Sequence, residues 1–437
     1  MPGIAKPTAE QALDALRPIL AEGTLRRGDA SDEVLGVVPE LYIEPATETE
    51  LSRALDYARQ AGLLVSPRGG GTKLEWGTAP RAIDLAISTA RFNRILEYAP
   101  DDMTVTVGAG VTIAQLQSAL SAHGQRLALD PLCPQRATAG GVVATNDSGA
   151  LRLRYGSIRD LILGITVVLP DGTIATSGGK VVKNVAGYDL PKLMSGALGT
   201  LGIITRAVFR LHPLPLQSQT LTFAFPDCES ANRFLLAIAD SQVVPTGLQM
   251  RTDADGTADV DIRIDGIAAG ISAQTDTVSK LAGSVNPSAP EGDPWQAREQ
   301  LWNSQPSHGA ASSLTCIVKL SMLPTQLSST AAFVRHALDE TASWTLLLYS
   351  TGLAWLRLDV ANCAAADSAP MADFLASLRA FLAPTGGTAV LLKAPPALRQ
   401  KVDVWGDIGN ALPLMRRLKE QFDPHAILNR GRFVGCI

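Results

Sequence analysis

Cysteine, histidine and long apolar runs are scarce in this 437-residue chain. The five cysteines (Cys133, Cys228, Cys316, Cys363, Cys436) are scattered, odd in number and form no C-x-x-C. That argues against a disulfide framework and against an iron–sulfur site of the chain's own. They read as free, largely buried thiols in a reducing compartment. The five histidines (His123, His212, His308, His336, His425) include no pair at zinc-motif spacing. No apolar run reaches the roughly 18 residues of a membrane-spanning helix. The N-terminus, MPGIAKPTAEQ, lacks the apolar core of a signal peptide. A cytoplasmic location is expected, with peripheral attachment to the inner membrane through partners left open. A net charge of −4 leaves no nucleic-acid footprint.

Hydrophobic residues make up 46% of the chain and charged residues 18%, as in a globular protein with a large interior. The length calls for two or three domains. Residues 8–21 have helical apolar spacing behind Thr8, and a T-x-x-E pair (Thr47, Glu50) opens a helix that Gly62 ends. A short strand from Leu63 leads into Arg68-Gly-Gly-Gly-Thr-Lys73. A further strand starts at Ala82, and STARFNRIL (88–96) looks helical. Residues 101–108 alternate as a strand. Thr112 caps a helix that Gly124 ends. Pro131 and Pro134 enforce an extended path, and Gly140 and Gly141 open a bend. Asp171-Gly172 turns a hairpin. Asp189 to Met194 is a short helix with Pro191 in its first turn, and Leu198 to Thr205 is a turn running into a buried strand. Ala207 to Leu211 then closes the sheet. From residue 216 strands, hairpins and helices alternate as an α+β domain, with internal repetition too faint to number.

Two glycine-rich stretches carry the chemistry. In Pro67-Arg68-Gly69-Gly70-Gly71-Thr72-Lys73, three glycines after a strand let backbone N–H groups turn toward one point, as a pyrophosphate needs. The spacing fits neither G-x-G-x-x-G nor G-x-x-x-x-G-K-[ST], and a plain flexible loop is the competing reading. The second stretch, GGKVVKNVAGYDLPKLMSGALGTLGIIT (178–205), holds six glycines, a density that calls for positive φ or a close backbone approach.

KVVKNVAGYDLPKL (180–193), GTLGIIT (199–205) and ATAGGVVATNDSG (137–149) together resemble the flavin-binding signature of FAD-linked oxidases of the vanillyl-alcohol oxidase and p-cresol methylhydroxylase (PCMH) type. Among these, the segments most resemble the FAD-binding subunit of bacterial glycolate oxidase. The resemblance implies an α+β chain: an N-terminal helical segment (1–34), a PCMH-type two-lobed FAD-binding domain (35–215), an α+β cap domain (216–395) and a C-terminal segment returning to the FAD domain (396–437). It makes Pro67–Lys73 the FAD pyrophosphate loop. It adds Pro131, Thr138, Gly140, Gly141, Ala144, Asn146, Gly149, Tyr155 and Gly156 from the second flavin segment, and Tyr188, Gly202, Ile203 and Ile204 from the third. The tail FDP…ILNRGR resembles the family's FDP…ILNPGR element, with Arg430 in place of Pro, and offers Asn429. Some members attach flavin through a His near the first loop. Thr72 stands there instead, so non-covalent FAD is expected.

Relatives that oxidise 2-hydroxy acids carry a cap motif HGxxGDGNxH, absent here. His308, His336, Arg357 and Lys393 are the remaining cap candidates for a base or a carboxylate cation, and each is better read as surface or packing. No catalytic residue is assigned, and no metal. The expected function is an FAD subunit of a glycolate (2-hydroxy acid) oxidase or dehydrogenase complex, beside a second FAD-binding subunit and an iron–sulfur subunit. A self-sufficient 2-hydroxy acid dehydrogenase acting, for example, on D-lactate and a structural FAD subunit stay open as alternatives.

Overall fold

The computed structural model of the chain describes residues 6–179, 188–290, 292–304, 314–338, 342–360 and 369–437. The stretch 180–187, His308 and Cys363 lie outside the described residues. The chain divides into two compact units. The first comprises Met1–Ser148, Ser157–Leu214 and Asp407–Ile437, and the second Gly149–Gly156 and Pro215–Gly406.

The first unit contains two sheets. In the smaller, Leu41–Ile43 and Val65–Arg68 run parallel to Leu85–Ser88 on either side of it, with Leu25–Arg27 antiparallel at the edge. The helix Glu48–Ala61 covers this sheet through Leu51, Ala54, Leu55 and Ala58. Thr47 caps it by accepting from the Glu50 N–H, and Gly62 ends it at φ +65°. Glu50 does not complete the reciprocal half of the cap; its carboxylate accepts from Ala46 N–H at 2.8 Å.

The larger sheet is antiparallel, in the order Ile95–Ala99, Thr104–Gly108, Ile203–Arg210, Ile162–Val168, Ile174–Gly178. Two expectations change here. Ile203–Arg210 lies at the centre and pairs on both sides, so the 207–211 segment does not close the sheet. The stretch expected to be helical ends in the strand Ile95–Ala99, because pairing with Thr104–Gly108 overrides the local spacing. A third change concerns Gly140 and Gly141. They do not form a bend but sit inside a helix, Ala139–Thr145, capped by Thr138. The glycine is required by contact: a Cβ on Gly140 would stand 2.7 Å from the Ala109 methyl.

The second unit is a seven-stranded antiparallel sheet. The repetition too faint to number in the sequence is plain in its topology. Strand Gln217–Phe225, helix Cys228–Ala239, hairpin Gly247–Asp253/Ala258–Gly266 and helix Ala268–Ala282 form one β-α-β-β-α set. Strand Leu314–Ser321, helix Leu327–Ala337, hairpin Ala342–Tyr349/Leu353–Val360 and helix Ala369–Leu382 form another. The two hairpins meet through Gly247–Asp253 and Ala342–Tyr349, and Thr388–Lys393 is added at one edge. Alternate strand residues (Met250, Ile262, Leu348, Leu356, Val318) join the helices in one core.

Candidate functional site

The site lies in the first unit and begins at the end of the Val65–Arg68 strand. The glycine loop leaves that strand and lies flat on residues 136–138. A Cβ on Gly69 would meet Thr138 Oγ1 at 2.2 Å, and one on Gly70 would meet the Arg136 carbonyl at 1.7 Å. Only Gly71 has positive φ, +70°. The loop's glycines therefore serve close approach more than turning. Across from it the turn Ala197–Gly202 runs into the Ile203–Arg210 strand, with Leu198 at φ +50° and Gly199 at +68°. A Cβ on Gly199 would reach 2.7 Å from the Pro67 ring.

Between these walls is an open cleft. All seven residues of Pro67–Lys73 line it, as do Thr138, Gly140, Gly141 and Ala144 from the short helix, Gly202, Ile203 and Ile204, and Asn429 from the C-terminal segment. Six expected residues do not. Pro131 is buried elsewhere in the unit. Asn146 caps the end of the short helix in the left-handed region, φ +48°. Gly149, Tyr155 and Gly156 fall in the second unit. Tyr188 is 90% exposed just ahead of the Asp189 cap, its carbonyl accepting from Ser177 Oγ at 2.8 Å.

Leu74, Trp76, Thr89, Thr145, Met194, Ala197, Leu198, Gly199 and Arg432 also line the cleft and were missed. Six lie in stretches the sequence singled out: Thr145 in ATAGGVVATNDSG, Met194, Ala197, Leu198 and Gly199 in 178–205, and Arg432 in the tail motif that offered Asn429. Leu74, Trp76 and Thr89 lie in none of them.

The charged lining is all cationic: Arg68, Lys73 and Arg432. Arg68 is steadied by Asp32, whose Oδ1 lies 3.3 Å from its Nη1. Burial pushes the Asp32 carboxyl up, but hydrogen bonds from Arg26 and the Asp29 N–H outweigh it and hold it below the usual carboxylate range. Lys73 is buried. Its ammonium lies 3.2 Å from Asp147 and donates to Leu132 O and Thr72 Oγ1, both at 3.1 Å. Arg432 donates to the carbonyls of Leu74 and Trp76 at 2.6 Å. Among the described residues lining the cleft there is no Asp, Glu, His, Cys or Tyr. A glycine-walled cleft with three cations suits an extended anionic cofactor, and the described residues of its lining include no carboxylate, imidazole, thiol or phenol.

Asn429 braces the wall. Its backbone N–H donates to Val65 O at 2.8 Å, its Nδ2 donates to Leu198 O at 2.6 Å, and its Oδ1 accepts from Ser66 Oγ at 3.0 Å. The left-handed φ of +43° turns the side chain inward.

In the second unit, Arg357 is engaged: Nε and Nη2 donate to Asp359 at 2.7 and 3.0 Å, and Nη1 to Leu301 O at 2.8 Å. Lys393 stands 5.4 Å from the centre of the Trp302 ring, and His336 is exposed on the last turn of its helix.

Residues 39–178 match the FAD binding domain family. The chain is 35% identical over 212 residues to glycolate oxidase subunit GlcD of Bacillus subtilis, covering 48% of this chain and 45% of that protein. It is 36% identical over 209 residues to a D-lactate dehydrogenase of Archaeoglobus fulgidus, covering 48% and 46%. The matches thus span about half the length of these relatives. Among solved structures, p-cresol methylhydroxylase with substrate bound superposes with a TM-score of 0.74 at 15% identity, over 97% of this chain and 96% of that one. Alkyldihydroxyacetonephosphate synthase gives 0.73 at 19%, over 97% and 86%. The fold is that of the PCMH-type FAD oxidases.

Proposed function

Taking the chain as an FAD-binding protein related to GlcD and to D-lactate dehydrogenases, we propose that it is the flavin subunit of a 2-hydroxy acid oxidoreductase complex, with glycolate or D-lactate as substrate. Bound FAD would accept a hydride from the hydroxyl-bearing carbon and pass the electrons on. The chain's own residues would do the holding. The Gly69–Gly71 loop and Arg68 take the pyrophosphate side, while Lys73, on Asp147, Leu132 O and Thr72 Oγ1, and Arg432, on the Leu74 and Trp76 carbonyls, brace that wall and lend it positive charge. The small residues Gly140, Gly141 and Ala144 and the Gly202–Ile204 strand pack against the flat ring. Asn429 fixes the far wall. The cofactor is held without a covalent bond, since no His or Cys is among the described residues lining the cleft.

The observation that carries the subunit reading is the cationic lining, whose described residues include no carboxylate, imidazole, thiol or phenol. General-base assistance is worth roughly 10²- to 10⁴-fold, and the cap arginine nearest in type to a carboxylate clamp, Arg357, is spent on Asp359. With no cysteine cluster to take electrons onward, the base and the electron exit are assigned to a second FAD-binding subunit and an iron–sulfur subunit. Purification from the native source at low salt, with the co-purifying chains identified, tests this. Both partners are expected; a chain that runs alone and turns over 2-hydroxy acid contradicts it. The likeness to a D-lactate dehydrogenase favours the self-sufficient enzyme as the second reading.

A further inference from the structure

We propose that Lys419 is a positioning residue for the cofactor cleft, holding the Leu198–Thr200 turn and Asn429 together from behind; the inference rests on the reading that FAD occupies that cleft. Lys419 lies on the helix Leu412–Phe422 and is 6% exposed. All three of its donors are used: to Thr200 O at 2.8 Å, Leu428 O at 2.9 Å and Asp423 Oδ2 at 2.6 Å. The acceptors are well placed. Leu428 immediately precedes Asn429. Thr200 lies in the same turn as Leu198, whose carbonyl accepts from the Asn429 side-chain amide. One ammonium therefore ties together, outside the cleft, the two backbone segments that Asn429 ties together on its wall. Asp423 completes the arrangement by accepting the N–H groups of Ile427 and Leu428 at 3.1 and 2.8 Å. Neither Lys419 nor Asp423 lines the cleft, so any effect on the cofactor must pass through the wall.

A plain stabilising role predicts something different. Replacing a buried ion pair by uncharged groups of similar volume often leaves stability unchanged, whereas removing one partner strands a buried charge. The test is therefore the double variant Lys419→Met with Asp423→Asn in the full chain. Three readouts are needed: FAD dissociation constant, hydrogen exchange at the Leu198–Thr200 amides, and melting of the FAD-free protein. The proposal expects the constant to rise roughly tenfold, exchange in the turn to quicken, and melting to stay within a few degrees of wild type. An unchanged constant, beside a Gly70→Val variant that loses FAD, overturns the proposal and leaves the cleft reading standing. If Gly70→Val also keeps FAD, the cleft reading falls and takes the proposal with it. A large drop in melting temperature with no turn-specific exchange makes Lys419 structural and overturns the proposal. Should the double variant aggregate, Asp423→Asn alone carries the same readouts, with an expected rise of about threefold.

Discussion

At Gly70 a single missing methyl group sets the loop's height above residues 136–138. Its backbone is not in the left-handed region; of the loop's three glycines only Gly71 is. The Arg136 carbonyl, 1.7 Å from where a Cβ would stand, is what forbids a side chain at Gly70. Gly70→Val must push the loop into the cleft, and a loss of FAD affinity of about 100-fold or more is expected, several kcal/mol of lost contacts. Gly71→Ala meets left-handed strain of order 1–2 kcal/mol and a 3.2 Å approach to the movable end of Arg68, so its affinity should fall by about tenfold. Titrating both FAD-free variants with FAD measures the order; a Gly71→Ala defect larger than that of Gly70→Val would reverse the assignment. The glycine loop was legible because glycine runs after strands are rare and local. Tyr188 is 90% exposed and outside the described lining of the cleft, and nothing in a residue's type says whether it faces in or out.

The elements are stitched at points that sequence pattern does not show. The helix Glu48–Ala61 meets the central strand through Glu48, whose carboxylate accepts from Thr205 Oγ1 and from Arg206 Nε, each at 2.7 Å. The Arg206 hydrogen bond is the main cause that holds the Glu48 carboxyl below its usual range, against the opposing effect of burial. A depressed folded pKa means stability fully present above the ordinary glutamate value of about 4.3 and lost as pH falls through the lower folded value. Glu48→Gln should therefore destabilise the fold at neutral pH by about 1 kcal/mol, the scale of a partly exposed pair, and lower the melting temperature accordingly; the gap from wild type should begin to narrow as pH falls below the ordinary glutamate value and vanish below the lower folded one. A gap independent of pH would mean that packing, not charge, is lost. Strands and hairpins of the second unit were legible because apolar runs alternate there with turn residues, as at 253–256 and 350–352. The strand Ile95–Ala99 and the helix Ala139–Thr145 were not. Pairing with the next strand, Thr104–Gly108, decided the first against its own helical spacing, and the close contact of Gly140 with the sequence-distant Ala109 decided the second.

For the whole molecule, the β-α-β-β-α repeat of the second unit and the two sheets of the first give the fold of the PCMH-type flavoproteins, and FAD is its cofactor. Acid precipitation should leave yellow flavin in the supernatant, identified as FAD by mass; colour in the pellet would reveal a covalent bond. The most direct test of the subunit reading is stopped-flow reduction of the isolated, FAD-loaded chain by glycolate and by D-lactate. Ordinary turnover is on the order of 10 s⁻¹, and loss of base assistance costs at least about 100-fold. Bleaching at or below about 0.1 s⁻¹ is therefore expected with either acid. Bleaching at tens per second would show a complete active site in this one chain and contradict the reading.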